Sequence, residues 1–186
     1  MTHPATRETL DALREAHWIS EANVQGRLIE PALGKLGWSV TAATTEVWIG
    51  LSEEMAQLWN YPSRRMRRDY VLSCQGREVL HIEAKHSWSR RQLNVETFLH
   101  AISRGDWTAT RQDGVKKDLA LLLWGAKERA ARRAALIDEE RLMVFDWDGG
   151  WTLRSEVKLF EDPTDDVEAA FGLLALKAFG SGGADG

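Results

Sequence analysis

The stretch from Asp69 to Lys85 constrains this chain more than any other. Tyr70 to Cys74 and Glu78 to Ala84 read as two strands, separated by a three-residue turn, Gln75-Gly76-Arg77, in which Gly76 is free to take a positive φ. Side chains alternate across a strand, so Tyr70, Leu72 and Cys74 share one face, with Asp69, Val71 and Ser73 on the other. In the second strand Leu80, Ile82 and Ala84 oppose His81, Glu83 and Lys85. A slip of one residue would set apolar side chains beside charged ones along the whole hairpin. The register that joins like with like sets Leu72 opposite Leu80 and Asp69 opposite Glu83.

That register gathers Asp69, Glu83 and Lys85 on one face, with two carboxylates as cross-strand neighbours. Bare carboxylates in that position repel, so a cation belongs between them. Lys85 supplies part of the charge, and a hard divalent cation such as Mg²⁺, which takes oxygen ligands, would supply more. A metal held there can lower the pKa of a bound water, polarise a phosphodiester and stabilise the charge that develops on it. Lys85 would orient or activate the water, or stabilise the phosphate. The plain alternative is a surface hairpin with a solvated Glu–Lys pair.

The flanking sequence predicts helices on a mixed sheet. Arg7 to Leu36 reads as helix in two segments, with Leu28, Ile29, Ala32, Leu33 and Leu36 at helical spacing, a bend at Pro31 and a stop at Gly37. Trp38 to Gly50 reads as one strand or two, Leu51 to Pro62 as a short helix or loop, and Arg90 to Ser103 as helix. Leu119 to Trp124 is a continuous apolar run, read as a strand buried on both faces and hence a sheet covered by helices. Ala126 to Glu139 reads as helix, and Leu142–Trp147 and Trp151–Leu153 flank Asp148-Gly149-Gly150 as a hairpin. Val167 to Phe179 closes the chain as an amphipathic helix. The order indicates a single α/β domain over residues 1–179, with a C-terminal hairpin and helix, and a flexible tail at 180–186.

Composition narrows the class. Of 186 residues 44% are hydrophobic and 28% charged, as in a globular protein. No apolar run reaches the roughly 18 residues of a membrane span, and residues 1–17 lack the apolar core of a signal peptide. Cys74 is the only cysteine, which excludes an intrachain disulfide and suits a cytoplasmic setting. A net charge of −4 argues against coating nucleic acid by bulk charge. The charge is uneven, however: residues 61–91 hold eight basic side chains and three acidic ones, whereas 138–186 hold four and twelve. This asymmetry suggests a local anion-binding surface in mid-chain. Arg64, Arg65, Arg67 and Arg68 lead into Asp69 and could reach phosphates beside a scissile bond, or form a solvated charge run. Trp88, beside Arg90 and Arg91, could stack on a base, or serve as core. His81 shares the face of Glu83, and is read as either a substrate contact or a structural histidine.

The helix Glu21-Ala-Asn-Val-Gln-Gly-Arg-Leu-Ile-Glu-Pro-Ala-Leu-Gly-Lys-Leu-Gly-Trp38, followed by Arg68-Asp69-Tyr70-Val71-Leu72 and Ile82-Glu83-Ala84-Lys85, resembles the N-terminal nuclease domain of type I restriction-enzyme R subunits, within the PD-(D/E)xK nuclease superfamily. The resemblance implies a restriction-endonuclease-like αβββαβ core and Mg²⁺-dependent hydrolysis of DNA phosphodiesters, with Mn²⁺ able to substitute. It implies Asp69 and Glu83 as metal ligands, Lys85 as the catalytic lysine and Glu21 as the helical acid supporting the metal. Without the family, Glu21 reads equally as a first-turn acid behind an N-cap Ser20. Arg68 stands where the signature has proline, and Gln92 lacks its tyrosine partner, Glu96 occupying that place. With no helicase motor in the sequence, a free-standing nuclease, as a homodimer or as a subunit of a larger defence complex, is expected. The competing expectations are a non-catalytic nucleic-acid-binding or assembly module that keeps the fold, and an RNA-directed nuclease.

Overall fold

The structure, a computed structural model, describes residues 20–86, 88, 93–110 and 114–180. Six strands form one mixed sheet in sequence order, β1 (Thr45–Gly50), β2 (Arg65–Cys74), β3 (Arg77–Ala84), β4 (Arg133–Ile137), β5 (Arg141–Trp147) and β6 (Trp151–Lys158). All neighbours are antiparallel except β3 and β4, which are parallel. A parallel pair needs a crossover, and here two helices provide it, α3 (Val95–Ser103) and α4 (Gly114–Glu128).

Helix α1 runs in three stretches, Glu21–Val24, a π-helical Gln25–Ile29 and Glu30–Lys35. Ser20 caps it by accepting from the Asn23 N–H at 3.3 Å. The π stretch precedes Pro31, whose ring cannot donate and crowds the carbonyl four residues back; the Glu30 N–H instead reaches the Gln25 carbonyl. The part of the expected first helix before residue 20 lies outside the described residues. Helix α2 (Glu53–Leu58) fills the stretch read as short helix or loop, and α5 (Thr164–Gly172) and α6 (Lys177–Gly180) divide the expected closing helix in two.

The sheet is covered on both faces. Leu28, Ile29 and Leu33 of α1 and Phe171 of α5 pack with Tyr70, Leu72, Leu80 and Ile82 on one side. Phe98 and Ile102 of α3 and the apolar residues of α4 pack with Met66, Ala134, Leu136 and Phe145 on the other.

Two expectations are corrected. The run Leu119–Trp124 is not a strand but the centre of α4, and all six of its residues are buried in the core on that side of the sheet. A continuous apolar run suits a buried helix as well as a buried strand. The two-face-buried strand is β4, in the segment expected to continue as helix to Glu139; Ala134, Ala135 and Leu136 are fully buried there, and sheet pairing overrides the helix propensity of alanine. The hairpin turn also differs. Cys74 pairs with Arg77, leaving a two-residue turn in which Gln75 and Gly76 both have positive φ (52° and 76°), the geometry of a type I′ turn. An extra residue on β3, Val79, then restores the expected register, with Leu72 opposite Leu80.

Candidate active site

A cleft of about 400 Å³ is walled by the middle of β2, the end of β3, the first turn of α1 and the first half of α4. Glu21, Asp69, Glu83 and Lys85 all line it. Their backbones explain the convergence. Glu83 is one step from the end of β3, and Lys85 just beyond it donates its N–H to the Ile137 carbonyl at 2.9 Å, extending the pairing with β4. Asp69 Oδ2 accepts from the Ala84 N–H at 2.7 Å, which ties the two strands together at the site. Lys85 Nζ donates to Glu83 Oε1 at 2.8 Å and lies 3.5 Å from Glu21 Oε2. Ser20 thus caps α1 while Glu21, in the first turn, faces Lys85.

Arg68 is the residue that the sequence reading misplaced. Read there as a phosphate contact or as part of a solvated charge run, it is 1% exposed. Its Nη1 donates to Glu83 Oε2, and its Nη2 donates to the Leu121 carbonyl of α4 at 2.8 Å. By strict alternation Arg68 belongs on the face of Tyr70 and Leu72, away from Glu83. Alternation slips on β2 instead: Met66 packs on the α4 side, whereas Tyr70 and Leu72 pack on the α1 side. The slip falls where Glu46 of β1, between the Thr45–Tyr70 and Val47–Arg68 pairs, takes φ 52°. Arg68 and Asp69 thus both reach the cleft, and Arg68 joins Lys85 as a cation on Glu83.

The two carboxylates respond in opposite ways. Burial, then the charge of Glu83, raises the Asp69 carboxyl from 3.8 to about 6, against the Ala84 N–H and Lys85. Burial acts the same way on Glu83, but Arg68 and Lys85 outweigh it and hold that carboxyl below its ordinary value. Burial alone would lower the Lys85 ammonium; Glu83, with Asp118 and Glu21, raises it instead. Lys85 is a cation at neutral pH.

Asp118 was missed. It lines the cleft from α4, and burial raises its carboxyl, with Glu83 and Glu21 adding to the effect and Lys85 opposing it. It directly precedes the apolar run, so reading that run as helix would have placed it one turn from Leu121 and Leu122. Of the two readings of Trp88, stacking residue or core, the burial fits core: it is 6% exposed and belongs to the cluster that holds Phe98 and Leu122. His81 is fully buried, with Nε2 3.1 Å from Glu78, which Arg129 also holds. Arg64, Arg65 and Arg67 are exposed; Arg64 pairs with Glu53 at 3.1 Å and Arg67 with Glu46 at 3.0 Å. Arg90 and Arg91 lie outside the described residues.

Among the described residues no three His, Cys, Asp or Glu side chains stand together in a ready-made metal-ligand group. The donor chemistry nevertheless fits a hard divalent ion. Four carboxylates, Glu21, Asp69, Glu83 and Asp118, border one cleft, and oxygen donors of this kind are what Mg²⁺ and Mn²⁺ take. The Asp69 carboxyl is raised first by burial and then by the charge of Glu83, which the Ala84 N–H and Lys85 only partly offset. No helix among the described residues is long and apolar enough to cross a membrane. Compared with models of protein families, with curated proteins and with solved structures, the chain matches none.

Proposed function

We propose that this chain is a metal-dependent DNA endonuclease, built on the restriction-endonuclease-like plan of the PD-(D/E)xK nucleases its sequence resembles. The observation that carries this reading is the meeting of Asp69, Glu83, Lys85 and Glu21 at one cleft, at the end of the strand that pairs in parallel with β4. A helix, three antiparallel strands with α2 between the first two, a helical crossover and a parallel fourth strand support this reading, since the plan calls for an αβββαβ order.

Asp69 and Glu83, with Glu21 behind them, would hold Mg²⁺ or Mn²⁺. A divalent ion there supplies a lowered pKa for a bound water and polarisation of the phosphodiester. Lys85 is charged, so its role is to donate: it orients the attacking water or binds a phosphate oxygen as charge builds there, and it does not serve as the base. Glu21 and Glu83 fix its ammonium from two sides. Arg64, Arg65 and Arg67 are exposed where β2 enters the site, and suit contacts to flanking phosphates. Cutting both strands calls for two such sites, supplied by a second copy or by a larger defence assembly.

Supercoiled plasmid incubated with the protein and Mg²⁺, with Mn²⁺ in parallel, tests this. The wild type should nick and linearise it, and Asp69→Ala and Lys85→Ala should fall to the level seen in EDTA. Equal nicking by all three would discard the mechanism.

One observation favours a second reading, a nucleic-acid-binding or assembly module with no chemistry. Both Glu83 oxygens already carry protein donors, Arg68 and Lys85. Under that reading DNA binding survives EDTA and is indifferent to Glu83→Gln.

A further inference from the structure

We infer that Arg68 is an internal competitor of the metal: its guanidinium occupies the Glu83 oxygen that a divalent ion would use, and so sets how much metal the site requires. This deepens the proposed function and rests on it.

Three features of the arrangement support the inference. The guanidinium is built in rather than incidental, since β2 slips its alternation to deliver it and α4 receives it through the Leu121 carbonyl. Its hold on Glu83 is charge against charge in a buried setting, with side-chain exposures of 2% and 12%. Its Nε, also buried, has no hydrogen-bond partner, so the group is anchored through its two terminal nitrogens only. A metal arriving at Asp69 and Glu83 meets a full positive charge already seated on one of its two ligands. Two cations sharing one buried carboxylate repel strongly at such separations. Arg68 must therefore swing off Glu83, keeping its Leu121 contact, or the ion must bind through Asp69 and Glu21 at reduced affinity. Lys85 differs, because it sits on the other Glu83 oxygen and at the cleft mouth beside Glu21.

Mn²⁺ binding by the full chain, without nucleic acid, reads this directly by calorimetry or by the paramagnetic signal of free Mn²⁺. Arg68→Gln removes the charge and keeps a shorter polar side chain; Arg68→Met removes charge and polarity together. Both variants should bind Mn²⁺ about tenfold tighter than wild type, or more, as expected for removal of a neighbouring positive charge. Adding Asp69→Ala to Arg68→Gln should abolish the gain. Folded variants that bind no tighter overturn the inference, while wild-type binding that Asp69→Ala abolishes would leave the nuclease reading standing. Absence of Mn²⁺ binding in every form overturns both. Should neither variant fold, a crystal structure of the wild type in saturating Mn²⁺ decides: Arg68 displaced from Glu83 upholds the inference, and an ion on Glu83 with that pair intact overturns it.

Discussion

Asp69 Oδ2 accepts a hydrogen bond from the backbone N–H of Ala84 at 2.7 Å, yet its carboxyl is pushed up to about 6. One backbone donor does not offset burial and a neighbouring Glu83. The sign of the consequence follows from linkage. A carboxyl that is harder to ionise in the folded chain than in the unfolded one costs stability as pH rises from about 4 to about 6, and the full cost persists above that window. Asp69→Asn removes the charge and keeps an oxygen for the Ala84 N–H. Without metal it should stabilise the protein at pH 7.5 by about 1–3 kcal/mol and have no such effect at pH 4. Urea unfolding at both pH values checks this, the comparison being needed because Asp138 also titrates at about 6.

Glu83 should behave in the opposite way. It is the partner shared by Arg68 and Lys85, so Glu83→Gln leaves two cations facing each other with nothing between them. Removing one member of a buried ion pair costs about 3–5 kcal/mol, and unfolding of the variant in EDTA should show a loss of that order. Two carboxylates that both abolish cleavage when neutralised would thus be told apart by stability alone. A stabilising Glu83→Gln would contradict the arrangement around Arg68.

Asp118 and Glu21 flank Lys85 from opposite helices, and neither forms an ion pair with Arg68. Outer partners of a metal site typically contribute 10–100-fold to affinity or activity. Asp118→Asn should lower Mg²⁺-dependent nicking by about 10-fold or more on that scale, with thermal stability unchanged or higher, because its own carboxyl is raised by burial. Unchanged nicking would remove Asp118 from the site.

Gly125 of α4 lies against Met66 and Arg68 of β2 and Ile49 of β1. A Cβ there would collide with Met66 Cε and stand 3.4 Å from Arg68 Nη2. In an open helix Gly→Ala gains about 1 kcal/mol. Met66 Cε is the far end of a flexible side chain and can turn aside, and 3.4 Å from Arg68 Nη2 is ordinary contact. Repacking therefore offsets the helix gain, and Gly125→Ala should change stability by less than about 1 kcal/mol, read as a nearly unshifted midpoint of thermal unfolding.

Much of the site was legible because alternation on β2 and β3 dictates which side chains meet, and Leu72–Leu80 pairing fixes the rest of the hairpin. Arg68 escaped that logic, since the slip near Glu46 is a backbone event that no residue type announces. Trp88 and Arg68 sit in a basic stretch, and charge along the chain does not say which members point inward. The exchange of helix and strand between 119 and 139 has another cause. An apolar run carries no period when every side is buried, and the alanines of β4 favour helix until sheet neighbours claim them.

The boundary between α4 and β4 was hidden for a further reason, and it yields the last prediction. The Ala131 N–H bonds the Ala126 carbonyl at 2.8 Å and the Ala130 N–H bonds the Lys127 carbonyl at 2.9 Å, the paired bonds of a Schellman cap. The residue in the left-handed position is Ala130, with φ 56°, where glycine is the usual choice. Without a glycine the sequence shows no stop, and Ala126 to Glu139 reads as uninterrupted helix. An L-residue in this conformation costs about 1–2 kcal/mol, partly offset by the entropy glycine would add to the unfolded chain. Ala130→Gly should therefore raise stability by about 0.5–1 kcal/mol, seen as a higher urea midpoint at unchanged slope. A fall in midpoint would mean that α4 does not end at this cap, and that Asp118 and Leu121 are not held where the cleft needs them.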